Sequence, residues 1–300
     1  MRRSVVLGTL LLVGLVVMSV AAQQAPPAGA VMPSVDRVKD NLYVIAGSAP
    51  GDPKTFSGGN VAVFVTPNGV VLVDTKLAGW GQPLLDAIGR ITDKPVTTII
   101  NTHTHGDHTG NNSLFGATVE SIAHENTKAN MAKMDAFKGD RAQFLPKKTY
   151  RDRMSIGEGA SRVDLYHFGP GHTNGDTFIV FPALRVAHAG DMFPWKDAPF
   201  IDRGNGGSGV EWPNTLGKAL ATLRNVDTVI PGHHPAVPRS ELEEFQRFTA
   251  DLVAAVRDQL KEGKTTDDAA ASINLSAKYP AYKSVRLKAA VEALYDEINQ

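Results

Sequence analysis

The apolar positions of the chain follow two periods, one of strands and one of helices. Leu42-Tyr43-Val44-Ile45 and the run from Asn60 to Val65 are short, β-branched and aromatic, as strands are. Thr66-Pro67-Asn68-Gly69 is a turn signal between two such runs, so Asn60 to Asp74 is predicted to form a hairpin. Val96 to Ile100, Val163 to Phe168, Thr177 to Phe181, Arg185 to His188 and Thr228 to Ile230 continue the strand series. Helical stretches are predicted over Gln82 to Ile91, Glu125 to Phe137 and Asn214 to Leu223, the first with Pro83 in an early turn. Strands and helices alternating in both halves predict two packed sheets with helices outside.

After Pro238 the helical period takes over. Leu242, Phe245, Leu252, Val256 and Leu260 share one face, with Ser240 as the expected N-cap. Leu287, Val291, Leu294 and Ile298 form a second stripe. Both stripes are packing faces, within the fold or in a dimer, and the oligomeric state stays open. The chain thus divides into residues 1–22, a leader over 23–40, a main domain over 41–238 and a helical extension over 239–300.

Residues 1–22 read as a secretory signal peptide. Arg2 and Arg3 precede an uncharged run from Val5 to Val20, and Ala21 and Ala22 supply small residues for cleavage. That run is shorter than the ~20 residues that span a bilayer. The expected location is periplasmic or secreted, with no stable membrane insertion after cleavage. Gln23 to Pro33, with Pro26, Pro27 and Gly29, reads as a disordered leader.

Charge narrows the partners. The chain has 31 basic and 31 acidic residues, and removing Arg2 and Arg3 leaves 29 against 31, a net of −2. No cationic path for a phosphate backbone is evident, so nucleic acid is not the expected substrate. Cysteine is absent, so neither a disulfide nor a thiolate ligand is available.

The chemistry concentrates in Thr102-His103-Thr104-His105-Gly106-Asp107-His108-Thr109-Gly110, directly after the predicted strand Val96 to Ile100. Imidazole and carboxylate together are the ligand set of zinc and similar divalent ions. A loop leaving a strand can fan such closely spaced side chains toward two adjacent points. The spacing His-x-His-x-Asp-His resembles the signature of the metallo-β-lactamase superfamily. Four further segments match that superfamily's motifs in order: Val70 to Thr75 with Asp74 at a strand end, Gly169-Pro170-Gly171-His172, Ala189-Gly190-Asp191 and Ile230-Pro231-Gly232-His233.

The resemblance implies an α+β fold, a four-layer αββα sandwich, with metals at one edge of the sheets. It implies two zinc ions per chain. His103, His105 and His172 would hold the first, and Asp107, His108 and His233 the second. Asp191 would bridge them, Asp107 would also orient the nucleophile, and Asp74 would steady a ligand from behind. His234 adjoins His233, and only the Pro-Gly-His pattern favours His233. His124, His167 and His188 match no ligand motif and are expected to be structural. The glycine-rich segment Gly204 to Gly209 is expected to form a flexible flap, with Phe193, Trp195, Phe200 and Trp212 near the pocket mouth.

The implied activity is metal-dependent hydrolysis of a small-molecule cyclic amide or ester. A β-lactam fits an exported enzyme best, whereas Asp191 in place of a thiolate resembles the lactone and thioester hydrolases, glyoxalase II among them. Two other classes share the histidine-rich core: an iron-dependent persulfide oxygenase, and a periplasmic accessory protein that binds metal without turnover.

Overall fold

The computed structural model describes residues 33–48 and 56–300, so the expected signal peptide lies outside the described residues. The first sheet holds β1 (Val35–Lys39), β2 (Leu42–Ile45), β3 (Val61–Thr66), β4 (Gly69–Val73), β5 (Val96–Ile100), β6 (Glu120–His124) and β7 (Lys148–Tyr150), side by side in chain order. The second holds β8 (Arg153–Ile156), β9 (Val163–Tyr166), β10 (Phe178–Phe181), β11 (Val186–Gly190), β12 (Thr228–Pro231) and β13 (Val237–Pro238), again in chain order across the sheet. The helices are α1 (Gly81–Ile91), α2 (Gly106–Thr109), α3 (Glu125–Met131), α4 (Trp212–Thr222), α5 (Arg239–Lys261), α6 (Thr266–Ser272) and α7 (Leu287–Ile298).

The strand pleat sorts alternate side chains into separate layers. Val61 and Val63 turn outward onto Leu84, Ala87 and Ile88 of α1. Ala62 and Phe64 turn inward and meet Ile179 and Phe181 of the second sheet, with the Phe64 and Phe181 rings 5.0 Å apart. Phe178 and Val180 point the opposite way, into a core shared with Leu216, Phe245, Leu252 and Val291 from α4, α5 and α7. The order is therefore helix, sheet, sheet, helix, and the expected four-layer sandwich is the observed fold. The helices after Pro238 are the outer layer of the second sheet. Each fully buried Leu, Val or Phe there contributes roughly 1.5–3 kcal/mol.

Four local expectations change. The leader is shorter than 23–40, because Val35–Lys39 pairs with β2 as an edge strand. The helix expected over Glu125 to Phe137 stops at Met131, and Met134 is extended. Met131 and Phe137 are both buried, and six residues would place them about 120° apart around one straight helix, at opposite margins of a single apolar stripe. Helix α5 begins at Arg239 with Pro238 at the cap position, so Ser240 sits inside the first turn rather than capping it. Strands β6, β7 and β8 carry no strong apolar pattern and are recognised only in the fold.

Parallel pairing of β4 with β5, and of β11 with β12, puts the C-terminal ends of all four strands on one edge of the sandwich. The segments bearing Asp74, the histidine cluster, Asp191 and His233 leave from those ends.

Candidate metal centre

Asp74 ends β4 in the left-handed backbone region, φ 65°, and is almost fully buried. Holding a non-glycine residue there costs on the order of 1–3 kcal/mol unless its surroundings compensate. Three hydrogen bonds do so: Asp74 accepts from Thr102 N (2.8 Å), Thr102 Oγ1 (2.7 Å) and His108 Nδ1 (2.7 Å). The carboxylate thereby clasps both ends of the cluster loop.

Five imidazoles converge beside it, and each has its outer nitrogen engaged. His108 donates Nδ1–H to Asp74, His172 to Phe200 O (2.7 Å) and His233 to Ser48 O (2.8 Å). His105 donates from Nε2 to Asp202 Oδ2 at 2.7 Å. The Thr102 hydroxyl already gives its proton to Asp74, so it accepts from His103 Nδ1 at 2.9 Å. Carboxylates and carbonyls only accept, which fixes the ring tautomers. The inner nitrogens then carry lone pairs that face one another: His103 Nε2, His105 Nδ1 and His172 Nε2 in one group, His108 Nε2 and His233 Nε2 in the other.

The inner atoms are spaced as a cation requires. His108 Nε2 lies 3.3 Å from His233 Nε2, and Asp107 Oδ2 lies 3.5 and 3.4 Å from those two nitrogens. A tetrahedron with zinc–nitrogen bonds of 2.0–2.1 Å has edges of ~3.3–3.4 Å. Asp191 spans the two groups: Oδ1 is 3.4 Å from both His108 Nε2 and His233 Nε2, while Oδ2 is 3.6 Å from His172 Nε2. Among the described residues, His103 Nε2 and Asp191 Oδ1 are buried without a hydrogen-bond partner. A buried polar atom in that state costs free energy that a metal ion removes. The donor set fits two adjacent cations, and its atoms fall into three overlapping groups within 4.8 Å: His103–His105–His172, His103–His108–Asp191 and Asp107–His108–His233.

Electrostatics agree with that division. Burial, with the neighbouring histidines, pushes His103 well below the usual imidazole range and His172 down to about 4, so both present neutral lone pairs. Burial opposes charge on His108, but Asp107, Asp191 and Asp74 outweigh it and raise its pKa well above normal. Carboxylates that hold a proton there also attract a cation. Asp191 is buried too, yet His233 and His108 keep it well below the ordinary carboxylate range.

All seven expected ligand side chains, and Asp74 behind them, therefore meet at one edge. His233 turns into the cluster, whereas among the described residues the His234 ring bonds only its own neighbour, Pro235 O, at 3.1 Å. Asn60 sets this choice by donating to both Pro231 O and His234 O, each at 2.7 Å. Gly232 is required between them, because a Cβ there would lie 1.8 Å from Asp191 Oδ1. His124 and His167 stack on each other at 4.0 Å, outside the three ligand groups, and His188 is buried in β11, where Nδ1 accepts from Gly190 N.

The glycine-rich segment is not a loose flap. Asp202 grips His105, Arg203 Nη1 donates to Gly207 O at 2.8 Å, and Glu297 of α7 accepts from Gly209 N at 2.8 Å and from the Ser208 hydroxyl. Phe200 and Trp195 do face the site, but Phe193 and Trp212 are buried core residues beneath it. The cavity over the cluster, roughly 360 Å³, is lined by His105, Asp107, His172, Asp191 and His233 together with Phe56, Phe200, Arg286 and Ala289. The grip of Asp202 on His105 and the place of Arg286 in the cavity wall escaped the sequence reading, since each is a lone charged residue without a ligand pattern.

A four-layer αββα sandwich with a histidine–aspartate cluster at one sheet edge defines a class of metal-dependent hydrolases. Residues 55–233 match the model of the metallo-beta-lactamase superfamily, and the chain belongs to that superfamily. It is similar to the metallo-beta-lactamase IND-1 of Chryseobacterium indologenes, 28% identical over 201 residues that cover 65% of this chain and 80% of the relative. It is also similar to the 2,4-dinitroanisole O-demethylase subunit alpha of Nocardioides sp. (strain JS1661), 31% identical over 206 residues, 67% of this chain but only 60% of that subunit. Among solved structures, the DIM-1 metallo-beta-lactamase superposes with a TM-score of 0.62 at 17% identity, covering 74% of this chain and 98% of that one. The metallo-beta-lactamase from Pontibacter korlensis gives 0.60 at 19%, covering 73% and 99%. At such identities these structures establish the shared fold. Among the described residues no helix is long and apolar enough to cross a membrane.

Proposed function

We propose that the protein is an exported, two-zinc hydrolase that opens a small cyclic amide or ester, with a β-lactam as the preferred substrate. The observation that carries this reading is the convergence of seven ligand side chains on two adjacent points, spanned by the two oxygens of Asp191. Bound metal ions would supply a hydroxide at neutral pH and a Lewis acid for the carbonyl. The chain's own residues do the rest. Asp74, Asp202, Phe200 O and Ser48 O hold the imidazoles in one tautomer and one orientation. Asp107, partly exposed in the cavity and 3.4 Å from His233, is placed to orient the attacking water and to accept its proton. Phe56, Phe200 and Ala289 give the substrate an apolar wall.

A second reading, lactone or thioester hydrolysis, is favoured by Asp191, which stands where some β-lactamases use a thiolate. The similarity to an O-demethylase subunit adds an aryl ether as a third compound to try. Export rests on the apolar run from Val5 to Val20. The test is zinc analysis of the purified mature protein together with turnover of nitrocefin, a simple acyl lactone and an acyl thioester. Two zinc equivalents and nitrocefin opening are expected. A lactone or thioester alone would move the assignment to the second reading. One iron with no zinc would reject the hydrolase and favour the oxygenase class, and two zincs with no turnover would leave a metal-binding accessory protein.

A further inference from the structure

Apart from Ala289 in the cavity wall, the helical extension has no part in the reading above, and it lies beyond the family-matching residues 55–233. Its last helix nevertheless reaches the metal centre, by way of the glycine-rich segment. Three donors of that segment converge on one carboxylate, Glu297 near the end of α7. Gly209 N donates to Oε2 at 2.8 Å, Val210 N approaches the same oxygen at 3.4 Å, and the Ser208 hydroxyl donates to Oε1. Arg203 Nη1 lies 3.4 Å from Oε1, and the Glu297 side chain is largely buried. The two amides belong to the turn that enters α4, where an anion is favoured. Backbone and helix meet so closely that a Cβ on Gly209 would lie 2.7 Å from Leu294 Cδ2 of α7.

The other side of the segment is fastened to the first group of ligands. Ser208 N donates to Gly171 O at 2.9 Å, and Thr215 Oγ1 of α4 donates to Pro170 O at 2.8 Å. Asp202 N donates to His172 O at 3.0 Å, while Phe200 O accepts from His172 Nδ1. Asp202 Oδ2 holds His105, and Gly207 N closes the turn onto Asp202 O at 2.8 Å. Residues 200–209 thus supply the outer partners of His105 and His172. His108 and His233 lean instead on Asp74 and Ser48.

A ligand whose supporting partner is free to move binds its metal more weakly, because binding must then order the partner as well. Glu297 accepts from several donors at once and so pins the segment that carries those partners. We propose that Glu297 is a positioning residue for the His103–His105–His172 site: through it, α7 sets the metal affinity of that half of the centre and leaves the other half alone. The proposal rests on the cluster being a metal centre, and not on which substrate it hydrolyses.

The experiment titrates zinc against a competing chelator in two parents, His233→Ala, which keeps the His103–His105–His172 group, and His172→Ala, which keeps the other. Each parent receives Glu297→Gln, an isosteric change that leaves one acceptor oxygen. Each also receives Asp296→Asn, which removes an exposed charge from the same helix. Glu297→Gln should weaken zinc about three- to tenfold in the first parent, at or below the lower end for a ligand's supporting partner because it acts one contact further away. The second parent should be unchanged, and Asp296→Asn should alter neither. Combining Glu297→Gln with Asp202→Asn should cost less than the product of the two single losses, since both act on His105. Ser208→Ala removes one donor and leaves α7 intact; it should give a smaller loss with the same selectivity, and it serves if Glu297→Gln does not fold. Equal weakening in both parents, unaltered affinity in the first, or losses that simply multiply would overturn the proposal and leave Glu297 a stabiliser of the fold. A first parent that binds no zinc with Glu297 in place would remove the metal reading and this one with it.

Discussion

Asp202 is the residue whose removal should separate the two halves of the metal centre. Its Oδ2 accepts from His105 Nε2 at 2.7 Å and from Asn205 Nδ2 at 2.7 Å, and its Oδ1 accepts from Asn205 N at 3.0 Å. Burial would raise its pKa, but the hydrogen bonds from His105 and Asn205 keep the carboxyl well below the ordinary range, so it accepts as an anion. In Asp202→Asn only one oxygen remains for these three donors. With the amide turned away from His105, a neutral acceptor replaces a charged one, a loss of about 1–1.5 kcal/mol. That is roughly tenfold in affinity for a metal held by His105. Asp202→Ala leaves the ring unsupported and should cost up to about a hundredfold, the upper end for a ligand's supporting partner. Zinc affinity is measured by competition with a chromophoric chelator in two backgrounds: His233→Ala, which preserves the His103–His105–His172 group, and His172→Ala, which preserves the other. The loss should appear in the first background and be absent from the second. Equal weakening in both, or a change under twofold in the first, would refute the assignment of Asp202 to His105 and its metal.

Two further outcomes follow from particular contacts. His233→Ala should lose about one metal equivalent while His234→Ala keeps both, because only His233 Nε2 faces His108 and Asp107; elemental analysis decides, and the reverse result would mean that the adjacent ring is the ligand. Asp176 is buried beside the His172 loop, accepting from Thr173 N at 2.8 Å and Thr173 Oγ1 at 2.7 Å, and burial pushes its pKa from 3.8 up to about 7 against those hydrogen bonds. The folded carboxyl therefore keeps its proton where the unfolded one has lost it, so stability falls as pH rises from about 4 to 7, by on the order of 4 kcal/mol. Urea unfolding of chelator-treated protein should show this decline in wild type relative to Asp176→Asn, and parallel pH profiles for the two would contradict it.

The sequence alone determined the layers and the ligand chemistry. Alternation in Val61–Thr66 and Phe178–Phe181 dictates which side chains lie between the sheets, since a strand has only two faces. Metal ligation admits few residue types, and close spacing such as that of His103, His105, Asp107 and His108 can be read before any fold is known. Pairs far apart in the chain carry no such signature. The choice of His233 over His234 rests on Asn60, 174 positions from His234, and the support of His105 comes from Asp202, 97 positions away. Arg286 faces the cluster because the segment before α7 pairs with the loop after β11. Local pattern records what a residue can do. Only the packing of the two sheets on each other, and of α7 on the second, brought Asn60, Asp202 and Arg286 to where they could do it, because a lone polar residue has no periodicity to betray its partner.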